Sequence, residues 1–183
     1  ATGGLRALSI CLEPRPEVAA VAGGRPVMVT GGATPLDGIP GHGNCGHIDP
    51  SLALTLSERT RWGPEQVNRV LTERSGLSGL AGEPVTLGDL FQRQGASVEL
   101  AREVFCYRVL LACGAGMAAL GGVDAMVFSG RYAEVGRALA PRLRERLTFP
   151  KGQDGTAIDA VYFAASVERV MADRAAAFAA AQR

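Results

Sequence analysis

Both histidines of this chain, His42 and His47, lie in one short stretch, His-Gly-Asn-Cys-Gly-His-Ile-Asp, on either side of Cys45 and just ahead of Asp49. An imidazole near a thiol suggests two chemistries. One is a Cys–His pair for nucleophilic work, with the imidazole drawing the proton from sulfur. The other is a soft nitrogen and sulfur site for a metal. A plainer alternative is that these are tolerated replacements in an exposed loop. The spacing His-x-x-Cys-x-His matches no common zinc pattern. If the loop is used, Cys45→Ala and His42→Ala are each expected to abolish function while leaving stability within about 1 kcal/mol, as surface changes do.

Other reactive residues are less specific. Cys106 and Cys113 stand seven apart in a helical stretch, so they share a face but are two turns apart. That is too far to bridge easily, and buried small hydrophobes are the expectation. Gly114 and Gly116 could belong to a phosphate cradle, but within a helix they are expected to permit close packing on a sheet. Arg137, Arg142, Arg144 and Arg146, with Glu145 interleaved, read as a solvated helix face or a partner surface.

Composition limits the classes of function. With 183 residues and 47% apolar side chains, the chain can bury a sizeable core as one domain. A net charge of +1 gives no electrostatic case for nucleic acid or an acidic membrane. The apolar run 104–128 is broken by Arg108, Asp124 and glycines, and reads as a buried helix followed by a strand rather than a membrane span. Four irregularly spaced cysteines and no visible signal peptide point to reduced thiols and a cytoplasmic setting.

The elements that must position the loop follow from pattern. Strands are expected over 5–12, 17–21 and 27–30, the last two joined at Gly23-Gly24. Asp49-Pro50 should cap and open a helix. A second helix is expected over 64–74, with Val67, Val70 and Leu71 inward, ending at Ser75-Gly76. A long helix over 97–120 carries Leu100, Val104, Tyr107, Leu111 and Ala115 at helical spacing. Residues 123–128 and 158–163 read as strands, 153–156 as a turn and 166–181 as a closing helix. The helix over 131–146 should be kinked or split by Pro141. The order is α/β: a β-meander, then helices interleaved with single buried strands.

Several segments resemble the acetate kinase family, in order along the chain. Ala33 to Pro50 is similar to that family's F-T-P-L-E-G-L-M-M-G-T-R-S-G-D-I-D-P. Val18-Ala19-Ala20-Val21 is similar to V-A-A-I, and Ser75 to Leu80 to S-G-L-L-G-L. Phe105 to Arg108 resembles F-A-Y-R, and Leu120 to Gly130 resembles L-G-G-L-D-A-I-V-F-T-G-G. The resemblance implies one actin-like ATPase superfamily lobe of acetate kinase type, a mixed sheet with packed helices. It implies the family's C-terminal lobe over residues 1–183, with the N-terminal lobe absent. It also places Cys11 at a strand end facing the same cleft as the loop.

The chemistry of that family is where the chain departs. Asn44 replaces the arginine that steadies the phosphoryl group, and a neutral amide cannot supply a charge-assisted fork. The phosphate loop H-L-G-N-G-A-S becomes Cys11 to Glu17, where two prolines remove donors and two carboxylates repel phosphate. The nucleotide loop becomes Gly130 to Val135, including Arg131 and Glu134, with two glycines lost. Glu168 stands near the family's magnesium-binding glutamate. No cofactor is therefore expected, and Mg-ATP only if the chain is half of a split acetate or propionate kinase. The leading expectation is an old cleft turned to a small molecule, as enzyme or binder. A regulatory or structural subunit is the alternative, with a homodimer or a heteromeric partner implied in either case.

Overall fold

Alternation of large and small residues along three short segments builds the sheet. A computed structural model of the chain describes residues 4–34, 36–147, 158–164 and 167–181. Strands β1 (Arg6–Cys11), β2 (Glu17–Ala22) and β3 (Arg25–Val29) form an antiparallel meander. Strands β4 (Ala125–Ser129) and β5 (Asp159–Phe163) add in parallel on the other side of β1, giving the order β3-β2-β1-β4-β5. Ile10 sits beside Val18 and Phe128, and Leu8 beside Ala20 and Met126. All six are fully or almost fully buried, so one face of the sheet is core. Each such Leu or Phe stabilises by about 2–3 kcal/mol relative to exposure.

That face is covered by α5 (Ala96–Leu120), which buries Phe105, Val109, Cys113 and Gly116. By length and composition alone this helix could cross a bilayer; in this fold one side of it forms the core. Its other side carries the residues that recur at helical spacing in the sequence. Leu100, Tyr107 and Leu111 are about half exposed and Ala115 is exposed. Both sides of α5 are apolar, and only the sheet decides which one is buried. Gly116 does bring the helix against the sheet, since a Cβ there would lie 2.7 Å from the Leu8 side chain. Gly114 does not; its nearest neighbour would be Leu147 at 3.8 Å.

The remaining helices hold the segment between β3 and α5. Asp49 caps α1 (Pro50–Thr60) through the Ser51 amide at 2.8 Å, as the Asp-Pro pair predicts. Helix α2 (Pro64–Glu73) follows, with Val67 buried and Val70 and Leu71 half-buried. Two short helices have no counterpart in the sequence reading: α3 (Gly76–Ala81) and α4 (Leu87–Gln92). A capping box opens α4, with Thr86 accepting from the Asp89 amide and Asp89 from the Thr86 amide. After β4, a 3-10 turn (Ala133–Val135) precedes α6 (Gly136–Arg146), which runs unbroken through Pro141. The split expected at Pro141 is not present; the 3-10 turn instead gives way to α6 at Gly136, where a Cβ would meet the buried Phe128 ring.

Arg137, Arg142, Arg144 and Arg146 are all exposed, as a solvated helix face predicts, and Arg142 also pairs with Glu103 at 2.8 Å while Arg144 donates to the Ile158 carbonyl at 2.6 Å. Helix α7 (Val167–Ala181) closes the chain. The expected turn at 153–156 lies outside the described residues.

The two glycines of α5 give a paired test. Gly116→Val should cost about 1–3 kcal/mol through overpacking against Leu8 and Ala20. Gly114→Ala should be neutral or stabilise by up to about 1 kcal/mol through helix propensity. Urea denaturation followed by circular dichroism reads both.

Candidate functional site

The parallel strands β1 and β4 end side by side at Cys11 and Ser129, and their C-terminal ends are where open α/β sheets place ligands. Three segments meet around these ends: the turn 12–17, the loop 31–49 and the turn 130–135. The backbone fixes the middle one. Gly41 donates to the Asn44 carbonyl at 3.2 Å, His42 to Pro14 at 2.9 Å and Cys45 to Leu71 at 2.8 Å. In return the loop accepts from the Ser75, Leu77 and Ser78 amides, all at 2.8–2.9 Å. Ile39, Pro40, Gly41, Asn44 and Gly46 are buried. The alternative of a loosely exposed loop is thereby corrected: its conformation is set by β1, α2 and α3.

The loop side chains diverge. His42 is half-buried and turns towards α4, where its Nε2 accepts the Leu87 amide at 3.0 Å. Its ring meets Tyr132 edge-on at 5.3 Å. The amide it holds belongs to the first turn of α4, whose donors have no partner within the helix. Burial, the largest cause, pushes the His42 pKa below its ordinary value, and Arg131 adds to this while Asp89 and Glu13 oppose it.

Cys45 is half-buried, its Sγ donating to the Gly46 carbonyl at 3.1 Å, and burial pushes its thiol pKa up. A thiol so held is protonated at neutral pH, and neither histidine is bonded to it. His47 is exposed, its Nδ1 3.4 Å from the Asp37 carboxylate. Among the described residues, no three His, Cys, Asp or Glu side chains converge as metal ligands. Neither the Cys–His pair nor the metal set is assembled.

Asn44 is the one buried polar residue among the described side chains, 2% exposed. It lines a hollow of about 310 Å³ together with Arg15, Glu17, Asp37, Gly31 and Gly32. This hollow is the cleft side of the loop.

The turn after β4 is occupied by the chain itself. Gly130 is buried at φ +94°, and a Cβ there would lie 2.8 Å from the Leu12 carbonyl oxygen. The following amide, Arg131 N–H, donates to Glu13 Oε1 at 2.9 Å, and the Arg131 Nε lies 3.6 Å from Glu13 Oε2. Glu13 is only 16% exposed. Its carboxylate therefore sits where an anion would meet this turn. Sequence reasoning cast Glu13 as a repulsive charge; the structure makes it a bound one. Glu134 pairs instead with Arg137, which lies over the Tyr162 ring. Glu168 falls in α7, and its side chain lies outside the described residues. Cys11, beside Ser129 at the strand end, is half-buried with its pKa raised mainly by burial.

The model of the acetokinase family matches residues 4–167. An acetate kinase of Dictyoglomus thermophilum is 33% identical over 135 residues, 72% of this chain and 34% of the relative. A propionate kinase structure from Francisella tularensis superimposes with a TM-score of 0.70 at 25% identity, covering 79% of this chain and 39% of that one. An acetate kinase structure from Porphyromonas gingivalis gives a TM-score of 0.71 at 24% identity, covering 76% and 36%. The chain thus spans about a third of the length of the relatives it matches.

His42 supplies the prediction here. Losing its acceptor strands the Leu87 amide, so His42→Ala should cost about 1–3 kcal/mol, more than the surface-change expectation. Its depressed pKa gives the sign with pH. Stability is complete above the free histidine value of about 6.5 and is lost as pH falls through the lower folded value. The lowered carboxylates Asp49, Asp89 and Asp124 titrate below this window. Denaturation between roughly pH 7.5 and 5.5 should therefore show a loss that His42→Gln, which keeps an acceptor without titrating, reduces.

Proposed function

Since the chain belongs to the acetokinase family, we propose that it keeps the family's lobe as a frame and does not by itself transfer phosphoryl groups. Its cleft side serves instead to hold a small polar molecule. The observation that carries this reading is the Glu13 carboxylate on the Arg131 amide, an internal anion at the turn where a phosphate would need that donor. Asn44 adds to it. A neutral, buried amide offers no positive charge to the equatorial oxygens of a phosphoryl group in flight. Pro14 and Pro16 remove two further amide donors from the turn after β1.

The hollow beside Asn44 supports the second half of the reading. It offers a guanidinium from Arg15, carboxylates from Glu17 and Asp37 that lie against Gly31 and Gly32, and the Asn44 amide. Mixed donors and acceptors of both signs suit a small polar or zwitterionic ligand.

A second reading, a subunit that works with another chain, rests on one observation. The outward stripe of α5 and the outer strand β3 each show apolar side chains, with Val27 and Val29 more than half exposed on β3 and Leu100, Tyr107 and Leu111 about half exposed on α5.

Two measurements test the proposal. Incubation with Mg-ATP and acetate or propionate should form no acyl phosphate above the protein-free rate. Sustained turnover would overturn it. A fragment screen by amide NMR should shift Arg15, Asp37 and Asn44 together. Shifts confined to α5 upon addition of a partner chain would favour the second reading.

A further inference from the structure

A separate hollow lies behind the loop, on the side away from Asn44. It has a volume of about 500 Å³ and is lined by Pro40, Cys45 and the exposed His47 of the loop, Leu80 of α3 and Val104 of α5, together with Arg74 and Arg108. Nothing in the cleft reading uses it. Its chemistry is specific in two respects. First, its walls are mostly apolar, and no carboxylate is among the residues that line it. Second, its cations are placed and available. Arg108 is anchored by one N–H to the His47 carbonyl at 3.0 Å, leaving the rest of its fork open. The Arg74 side chain has no hydrogen-bond or ion-pair partner among the described residues. Two guanidiniums bordering one hollow with no lining carboxylate make it attractive to an anion.

The size of the hollow excludes a bare inorganic ion as its natural complement. About 500 Å³ falls in the range of organic-ligand pockets, about 300–1,000 Å³. We propose that this hollow binds an organic monoanion with an apolar body, its acid group between Arg74 and Arg108 and its body against Pro40, Leu80 and Val104. The loop backbone forms one wall, so the ligand would sit on the reverse of the segment that carries Asn44. The site is distinct from the cleft, and failure of either proposal leaves the other standing.

Cys45 provides a built-in reporter, because it lines this hollow while Cys11 stands at the cleft side. The intact chain is alkylated with N-ethylmaleimide, and the rate at each cysteine is read by peptide mass spectrometry. The probes are anilinonaphthalene sulfonate and its uncharged counterpart, N-phenylnaphthylamine. The sulfonate should slow Cys45 alkylation at least about fivefold and Cys11 less than about twofold, and the uncharged probe should protect neither, because the guanidinium pair supplies the affinity. Arg74→Ala should raise the sulfonate concentration needed about tenfold, and Arg74→Lys should restore part of it. Gly79→Leu should abolish protection by filling the hollow. Its Cβ has room, with only the Arg74 carbonyl within reach at 3.7 Å, so the fold should be kept. Equal protection by both probes, no protection by the sulfonate, or Cys45 as unreactive as buried Cys113 without any probe would each overturn the proposal.

Discussion

The backbone bonds of residues 38–47 are the constraint on which the rest of the site depends. This segment is neither helix nor strand, yet it is bonded to the turn after β1, to the end of α2 and to the start of α3. Its conformation needs glycine at particular points. Gly38 and Gly46 have φ of +87° and +66°, and a Cβ on Gly43 would lie 2.7 Å from the Glu73 carbonyl oxygen. Because main-chain groups hold the loop, its side chains can change without loss of the fold.

A second consequence concerns charge. A turn with a left-handed glycine and a forward-pointing amide attracts an anion. In this chain the anion comes from Glu13, one turn away across β1 and β4. The same carboxylate pairs with the Arg131 guanidinium, and it faces His42 from the other side of the cleft floor. Glu13, Arg131 and His42 therefore form one electrostatic neighbourhood that links the three segments. Removing the negative charge from this group would leave Arg131 and the turn amide facing the cleft without their carboxylate.

The sheet and the long helix were legible in the sequence because their patterns are unambiguous. Leu8 and Ile10 alternate with small residues, and 25 helical residues exceed any strand. Periodicity failed where α5 is apolar on both sides: Leu100, Tyr107 and Leu111 repeat as regularly as Phe105, Val109 and Cys113. Helices α3 and α4 have six residues each, too few for a period to show. The Thr86-x-x-Asp89 box was the available signal for α4. In the loop, sequence proximity misled. His42, Cys45 and His47 are close along the chain, but His42 turns to α4 while Cys45 and the exposed His47 border the rear hollow without bonding to each other. Conversely, the contact on which the proposed function rests joins Glu13 to Arg131, 118 residues apart, which no local pattern reveals.

The central claim is that an internal carboxylate, two prolines and a neutral asparagine have replaced what holds and steadies phosphate. Calorimetric titration of the chain with Mg-ATP tests it most directly. The account predicts no association tighter than about millimolar, a level equivalent to only about 4 kcal/mol. A saturating isotherm with micromolar affinity would contradict it, because the Arg131 amide and the turn after β1 would then be accepting phosphate despite Glu13.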